Sequence, residues 1–362
     1  MKMLPEPLAI PAAAKQHLRI LFIAKHALST GALHPEDGSH ATYHAEIRDV
    51  LTGLGLRVSV ADSYEMLFER PDVDFVFPLL NRGGFLNSEM MLPLLCNRHG
   101  LPYLGASPIV RGLSDDKHLT KTAARARGVL TADWAIYRRF NAVDEAGCPP
   151  ADRHIVKPNA SSASWGVSAA TGWAEVRAAV VALHAEGHDA IVEPFIVGHD
   201  VEVSAITVLG EPVILPTMIV EQDDPAGLRS YQEKRNLAAG DQAYEICPYR
   251  DAAKVAETKA MTRALMPEFM PFDYGRYEFR IEAATGRLLF LEINLNCNLW
   301  SKKTIAKAAA LAGWSHPQLI ETVVCESLRR HGLVELPARR KLTPQWSGRA
   351  QPAPLYPSQN AA

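Results

Sequence analysis

A basic excess is missing from this 362-residue chain, whose formal net charge is −2. Nucleic-acid and anionic-membrane binders advertise a surplus of Lys and Arg, so neither partner is expected. No apolar run approaches the length of a membrane span. Pro5, Pro7 and Pro11 interrupt the N-terminal apolar stretch, which argues against a signal peptide. Cysteine is sparse: Cys96, Cys148, Cys247, Cys297 and Cys325 are odd in number, far apart and without a CxxC pair. That excludes a disulfide framework or a recognisable zinc motif and fits reduced thiols in a cytoplasm. Also absent are a G-K-[ST] phosphate loop and the GxGxxG spacing, so neither familiar nucleotide motif applies. What remains is ordinary globular composition, 48% hydrophobic and 22% charged, with length enough for two or three domains.

The most informative stretch runs from Gly275 to Ser301, GRYEFRIEAATGRLLFLEINLNCNLWS. Two alternating segments flank Ala284-Thr285-Gly286, which predicts a hairpin closed by a three-residue loop. With Ala283 facing Arg287, counting back sets Glu278 opposite Glu292. Residues two apart on a strand share a face, so Arg276 joins Glu278, and Asn294 joins Glu292. Two like charges opposed across a ladder are destabilising unless a cation sits between them. Two carboxylates and an amide oxygen suit Mg²⁺, which takes its other ligands from water and phosphates. Arg276 could then face charge developing on a phosphate or carbonyl. The alternative is a solvated strand face with cross-strand Arg and Glu pairs.

Upstream, apolar runs at 18–26, 58–61 and 75–80, with helical periodicity from Tyr43 to Leu54, predict a parallel α/β unit whose ligand lies beyond the carboxyl ends of the strands. The loops at 26–44, 63–65 and 81–89 become candidates for substrate contact. The first holds His34, Glu36, Asp37, His40 and His44, with the last two spaced for one helix face. Metal binding, helix capping and substrate contact all remain open there. Gly83-Gly84 could cradle an anion or form a tight turn. A helix is predicted to open at Ser114 and close at Gly128, with Lys117 and Lys121 on one face, either solvated or functional. The stretch RHIVKPNASSASWGVSA offers Lys157 and a small-residue loop whose amides could approach phosphate. A helix follows over 172–185, then AIVEPFIVG with Glu193, and HDVEVSAITVL with Asp200.

Taken in order, GLPYLGAS, GLSDDKHLTK, HIVKPNASSASWGVS, IVEPFIVGHDVEVS, ILPTM, SYQEK and GRYEFR with FLEINLN resemble the ATP-grasp superfamily and, within it, the D-alanyl-D-alanine ligases. The resemblance implies an α/β (α+β ATP-grasp) fold. A parallel, Rossmann-like α/β substrate domain over 1–110 would precede two α+β subdomains gripping ATP, a central one over 111–196 and a C-terminal catalytic one over 197–335. A Pro-rich tail would occupy 336–362. Lys117 and Lys157 would hold ATP phosphates under a loop around Ser164. Glu193, Phe195, Ile196 and Leu291 would meet the adenine, Asp200 the ribose, and Lys234 the γ-phosphate. Glu278, Glu292 and Asn294 would bind magnesium, two ions by the family pattern, with Mn²⁺ able to substitute. Arg276 and a backbone amide near Asn298 would hold the oxyanion. Homodimers are common among such ligases.

Departures from the family fall in the amino-acid pockets. Ala163 replaces the first serine of the phosphate loop, and Arg235 replaces a tyrosine after the SYQEK lysine. Asn81-Arg82-Gly83-Gly84-Phe85 replaces a histidine and GEDG run, Cys297-Asn298 replaces Pro-Gly, and Lys302-Lys303 falls where a serine receives the second substrate's carboxylate. Glu36, His40, Arg235 and Lys303 become the candidate substrate residues. The expected activity is therefore an ADP-forming carboxylate-amine ligase for amino-acid-like substrates, with a product other than D-alanyl-D-alanine. Alternatives are an ATP-grasp kinase or carboxylase, or a nucleotide binder without catalysis. Cys297 is expected to pack under the site rather than act as a nucleophile.

Overall fold

The computed structural model describes residues 4–79, 88–161, 164–228 and 244–336. After a short helix α1 (Ala12–His17), β1 (Arg19–Ile23), α2 (His40–Gly53), β2 (Arg57–Ala61) and β3 (Phe75–Pro78) form a parallel sheet in the order β2-β1-β3. Four of the five β1 residues and all of β3 are buried, as expected for strands covered on both faces. Helix α2 covers the sheet with Tyr43, Ile47 and Leu51, a three-to-four-residue spacing that places them on one stripe.

Next come α3 (Met91–Arg98), α4 (Pro108–Asp115) and α5 (Lys117–Ala126). The helix predicted to open at Ser114 opens instead at Lys117, with Asp116 as its cap. Ser114 lies inside α4, and Asp116 takes an extended conformation that ends it. Its carboxylate then caps α5 by accepting the Leu119 N–H. Strands β4 (Ala135–Tyr137), β5 (Arg153–Pro158), β6 (Ser168–Thr171) and β7 (Ala190–Pro194) form a sheet in the order β4-β7-β5-β6, every pair antiparallel. Helix α6 (Gly172–Ala185) lays Val176, Val180 and Leu183 on it.

The largest sheet centres on β8 (Gly198–Val208), with β9 (Glu211–Ile214), β10 (Met218–Gln222), β11 (Tyr244–Pro248), β12 (Tyr274–Glu282) and β13 (Leu288–Asn294). Its order is β11-β10-β8-β12-β13, with β9 on β8. Tyr277 and Phe279 of β12 pack in one core with Leu265 of α7 (Ala252–Leu265) and with Phe269. Helices α8 (Thr304–Leu311) and α9 (His316–Arg330) supply Ile305, Leu319 and Val323 to another, together with Tyr274 and Ile206. Alternation along β12 therefore leaves Arg276, Glu278 and Arg280 on the face away from Tyr277.

The β12–β13 hairpin corrects the sequence reading in an instructive way. The Glu282 N–H bonds the Arg287 carbonyl and the Gly286 N–H bonds the Glu282 carbonyl, so the loop is Ala283 to Gly286, one residue longer than predicted. Near the turn the register is Ile281↔Leu288 and Phe279↔Phe290. A bulge then leaves Leu291 without an opposite residue, and Glu278↔Glu292 and Arg276↔Asn294 follow as counted. The longer loop and the extra residue cancel.

β8 begins at Gly198 with φ +153°, and a Cβ there would stand 1.9 Å from the Ile281 carbonyl oxygen of β12. Gly198→Ala is expected to destabilise the fold by about 1–3 kcal/mol, the range for a residue forced into a sparsely allowed conformation. Urea unfolding followed by circular dichroism measures this.

Candidate functional site

The bulged hairpin supplies one wall. Glu278 has Glu292 opposite on β13 and Glu202 opposite on β8, so three carboxylates stand abreast across three strands. Arg276 lies beside them: its Nε donates to Glu278 Oε1 at 3.1 Å and lies 3.4 Å from Glu202 Oε2. Burial would lower the basicity of this guanidinium, but Glu202 and Glu278 outweigh it and keep it charged. Asn294 Oδ1 accepts the Asn296 N–H at 3.0 Å, which fixes the amide at the strand end. Two opposed carboxylates and an amide oxygen form a hard donor set that could hold Mg²⁺.

The facing wall is cationic. Lys117 is the first residue of α5, where the helix dipole disfavours a positive charge, so its position suits an anion held between the two. Its Nζ donates to the Ser161 carbonyl at 2.8 Å and lies 3.5 Å from Glu292 Oε2. Lys157 reaches Glu193 Oε1 at 2.6 Å, and Lys121 reaches Glu193 Oε2 at 2.9 Å. Burial by itself would raise the Glu193 carboxyl, but the two ammoniums hold it at about 2. Lys157, buried too, is lifted by Glu193 and Glu292; Lys121 is lowered because desolvation wins there. Lys121 Nζ also donates to Thr131 Oγ1, whose hydroxyl donates to the Phe290 carbonyl, both at 2.7 Å. That chain ties α5 to the residue just before the bulge.

The other sequence candidates distribute as follows. Asp200 pairs with Arg280 at 2.8 Å, and Arg280 Nε also donates to the Ile196 carbonyl. Phe195 lies under the Arg153 guanidinium, 3.9 Å from ring centroid to carbon. Leu291 is the bulge residue and half-buried. Ser164 holds a left-handed φ of 60° at the start of the described part of its loop. Asn298 Oδ1 accepts the Trp300 N–H, and Lys303 Nζ lies 3.3 Å from the Tyr244 hydroxyl. Lys234, Arg235, Ala163 and the 81–85 run lie outside the described residues. Cys297 is buried, and burial pushes its thiol up to about 12, which disfavours the thiolate.

In the first loop, Glu36 is exposed and His40 packs edge-on to His44. His40 and His44 thus share a helix face as their spacing predicts, while the residues whose ligand atoms gather closely enough to share an ion are His26, His34 and Asp37. Asp37 is already paired with Lys25 and His26, and His34 Nδ1 accepts the N–H groups of Glu36 and Asp37. The cluster is thus internally satisfied and fixes the loop.

Four residues escaped the sequence reading. Lys121 was seen only as half of a helix-face pair, although it is fully buried. Glu202 becomes visible only once β8 is paired with β12. Tyr43 and Glu46 of α2 are the others. The Tyr43 hydroxyl accepts the Leu299 N–H at 3.0 Å. Glu46 accepts Trp300 Nε1 at 2.9 Å, the Ser301 N–H at 3.0 Å and Ser301 Oγ at 2.9 Å. The turn after the metal-type donors is therefore held by the first sheet's helix.

Comparison with known proteins agrees with this geometry. The family model described as D-ala D-ala ligase C-terminus matches residues 140–325. The uncharacterized protein y4sG of Sinorhizobium fredii is 30% identical over 245 residues, 66% of this chain and 70% of that one. A D-alanine–D-alanine ligase of Maridesulfovibrio salexigens is 28% identical over 290 residues, 77% and 90% of the two chains. The crystal structure of the Bacillus anthracis D-alanine–D-alanine ligase complexed with ATP superposes with a TM-score of 0.66 at 17% identity, covering 88% of this chain and all of that one. The chain belongs to the D-alanine–D-alanine ligase family and is an ATP-grasp ligase by fold and class. Among the described residues no helix is long and apolar enough to cross a membrane.

Glu193→Gln should destabilise the protein by about 3–5 kcal/mol at pH 7, because two buried ammoniums lose their shared counter-charge. A carboxyl held near 2 stabilises above its ordinary range and loses that contribution as pH falls toward 2. The gap between wild type and variant should therefore narrow between about pH 4.5 and pH 2, as unfolding free energies across that range would show.

Proposed function

We propose that this ligase joins the carboxylate of one amino-acid-like molecule to the amine of another through an acyl phosphate, releasing ADP and phosphate, and that its product is not D-alanyl-D-alanine. The observation that carries the reading is the opposition of Glu278 and Glu292 beside Arg276, with Lys117 and Lys157 across from them. Such a patch of alternating charge is complementary to a metal-bound triphosphate and to little else.

The roles follow from position. Lys117 and Lys157 neutralise phosphate oxygens, and the amides around Ser164 close over them. Glu193 bridges Lys157 to Lys121 and so fixes the first of them, while Phe195, Ile196 and Leu291 offer apolar surface and a backbone carbonyl to the base, and Asp200 faces the ribose. Glu278, Glu292 and Asn294 would hold Mg²⁺, as two ions or with Mn²⁺ in its place, and a bound ion would supply charge neutralisation at the terminal phosphates. Lys234 completes the contacts to that phosphate. A free carboxylate resists amines, so phosphorylating it makes the carbonyl electrophilic, and positioning with electrostatics does the rest. Arg276 and a backbone N–H near Asn298 then stabilise the oxyanion as the amine adds.

The choice of substrate rests on the departures from the family. The motifs that carry the resemblance keep the phosphate and metal residues of the family pattern, whereas Ala163, Arg235, Cys297-Asn298 and Lys302-Lys303 depart from it at the positions that would meet the amino acids. Lys303 beside Tyr244, at the start of α8, favours a substrate with a further acid group. Glu36, on the loop beyond β1, His40, which opens α2, and Arg235 complete the candidate substrate contacts.

ADP release over pairs of amino acids and amines, with hydroxylamine as trap, tests the reaction. A hydroxamate identifies the activated acid, whereas a phosphorylated product or a requirement for bicarbonate would reject ligation. With the acid known, Arg276→Ala should lower kcat by about 10²–10³. Lys303→Ala should raise KM for the acidic partner about tenfold and leave KM for ATP unchanged, the loss of one charged contact. An unchanged KM for every substrate would remove the acidic-group assignment.

A further inference from the structure

Glu202 is the carboxylate that the reading above leaves unused. It is 4% exposed against 6% for Glu278, so it is no rim charge placed for solubility. Its Oε2 lies 3.4 Å from Arg276 Nε and also accepts the hydroxyl of Thr304, the first residue of α8. Thr304 is itself buried, and its hydroxyl anchors the same Glu202 oxygen that Arg276 approaches. Glu278 is in a different position. It receives both Nε and Nη2 of Arg276 on one oxygen, Oε1. A divalent cation on Glu278 competes with the guanidinium for that carboxylate's charge and repels the guanidinium itself.

One carboxylate thus has two cationic claimants, and its neighbour across the β8–β12 ladder faces only one of them. The next residue on that face of β8, Ser204, sits opposite Arg276, is fully buried, and has a hydroxyl with no hydrogen-bond partner among the described residues. A guanidinium shifted toward β8 would move onto Glu202 and meet that hydroxyl. A buried polar group without a partner is costly, and a guanidinium so placed would supply one.

We propose, on the strength of the ligase reading above, that Glu202 is a positioning residue: it takes over Arg276 when the divalent ion claims Glu278, and Ser204 Oγ is the acceptor awaiting the displaced guanidinium. Arg276 stays anchored on the strand face instead of swinging away, and Glu278 is released to the ion without leaving a buried arginine unpaired. Glu202 is not a ligand of the ion. It eases ion binding through the arginine.

Mn²⁺ titrated into the full chain in the presence of ADP, with free Mn²⁺ read by electron paramagnetic resonance, tests this without any amino-acid substrate. Glu202→Gln keeps the acceptor for Thr304 but loses the charge that receives Arg276. It should raise the Mn²⁺ Kd about tenfold, within the range for coupled neighbours. In an Arg276→Ala background the same change should alter Kd less than about twofold. Glu202→Asp, which keeps the charge but withdraws it from Arg276, should raise Kd about threefold only when Arg276 is present, and it carries the test if the glutamine variant does not fold. Equal weakening in both backgrounds would make Glu202 a direct counter-charge for the ion and overturn the proposal, as would an unchanged Kd in Glu202→Gln. Wild-type protein that binds no Mn²⁺ with ADP would overturn the ligase reading of the site and this inference with it.

Discussion

The pairing of β12 with both β8 and β13 governs the molecule's chemistry. It aligns Glu202, Glu278 and Glu292 across adjacent strands, where like charges repel, with the first two buried. The surrounding structure answers that repulsion. Arg276 is shared between two of the carboxylates, Lys117 leans on the third, and Lys157 lies close enough for its basicity to respond to two of them. The arrangement stores unfavourable charge that a metal-bound polyphosphate would relieve. Binding then draws on a field already in place, and little reorganisation is left for the moment of reaction.

The opposite wall is held in a related way. Glu193 is a carboxylate held down at about 2 by Lys121 and Lys157, although its burial acts against it. Of the three, Lys157 also feels the hairpin's glutamates, and Lys121 is turned back through Thr131 to the Phe290 carbonyl. The result is one lysine facing the cleft and one bracing the strand that carries Glu292. This division of labour between two lysines explains why they shift in opposite directions despite sharing one partner.

Local patterns in the sequence reveal much of this, and nonlocal contacts hide the rest. The opposition of Glu278 and Glu292 is legible from alternation and a turn, yet only because a longer loop and the bulge at Leu291 offset each other; neither is encoded in the period of two. The helix over Gly172–Ala185 is legible to the residue because its apolar spacing and its flanks agree. The break at Asp116 is not, since the sequence reads on as good helix and only the cap geometry reveals the stop. Glu202 and Lys121 stay hidden because their importance comes from what lies across a ladder or under a helix, and periodicity gives a face without naming its partner. The first loop shows the reverse: its histidines suggest metal by composition, while Lys25 and backbone N–H groups already occupy the atoms a metal would need.

Tyr43 and Glu46 belong to a helix of the first sheet, yet they grip the Leu299–Ser301 turn that follows the carboxylate strand. A displacement of that helix would therefore be carried into the turn through these hydrogen bonds. The first sheet and the strand that carries Glu292 are thus joined at one point, so a side-chain change on α2 would be felt at that turn while the Lys157–Glu193–Lys121 contacts kept their own anchors.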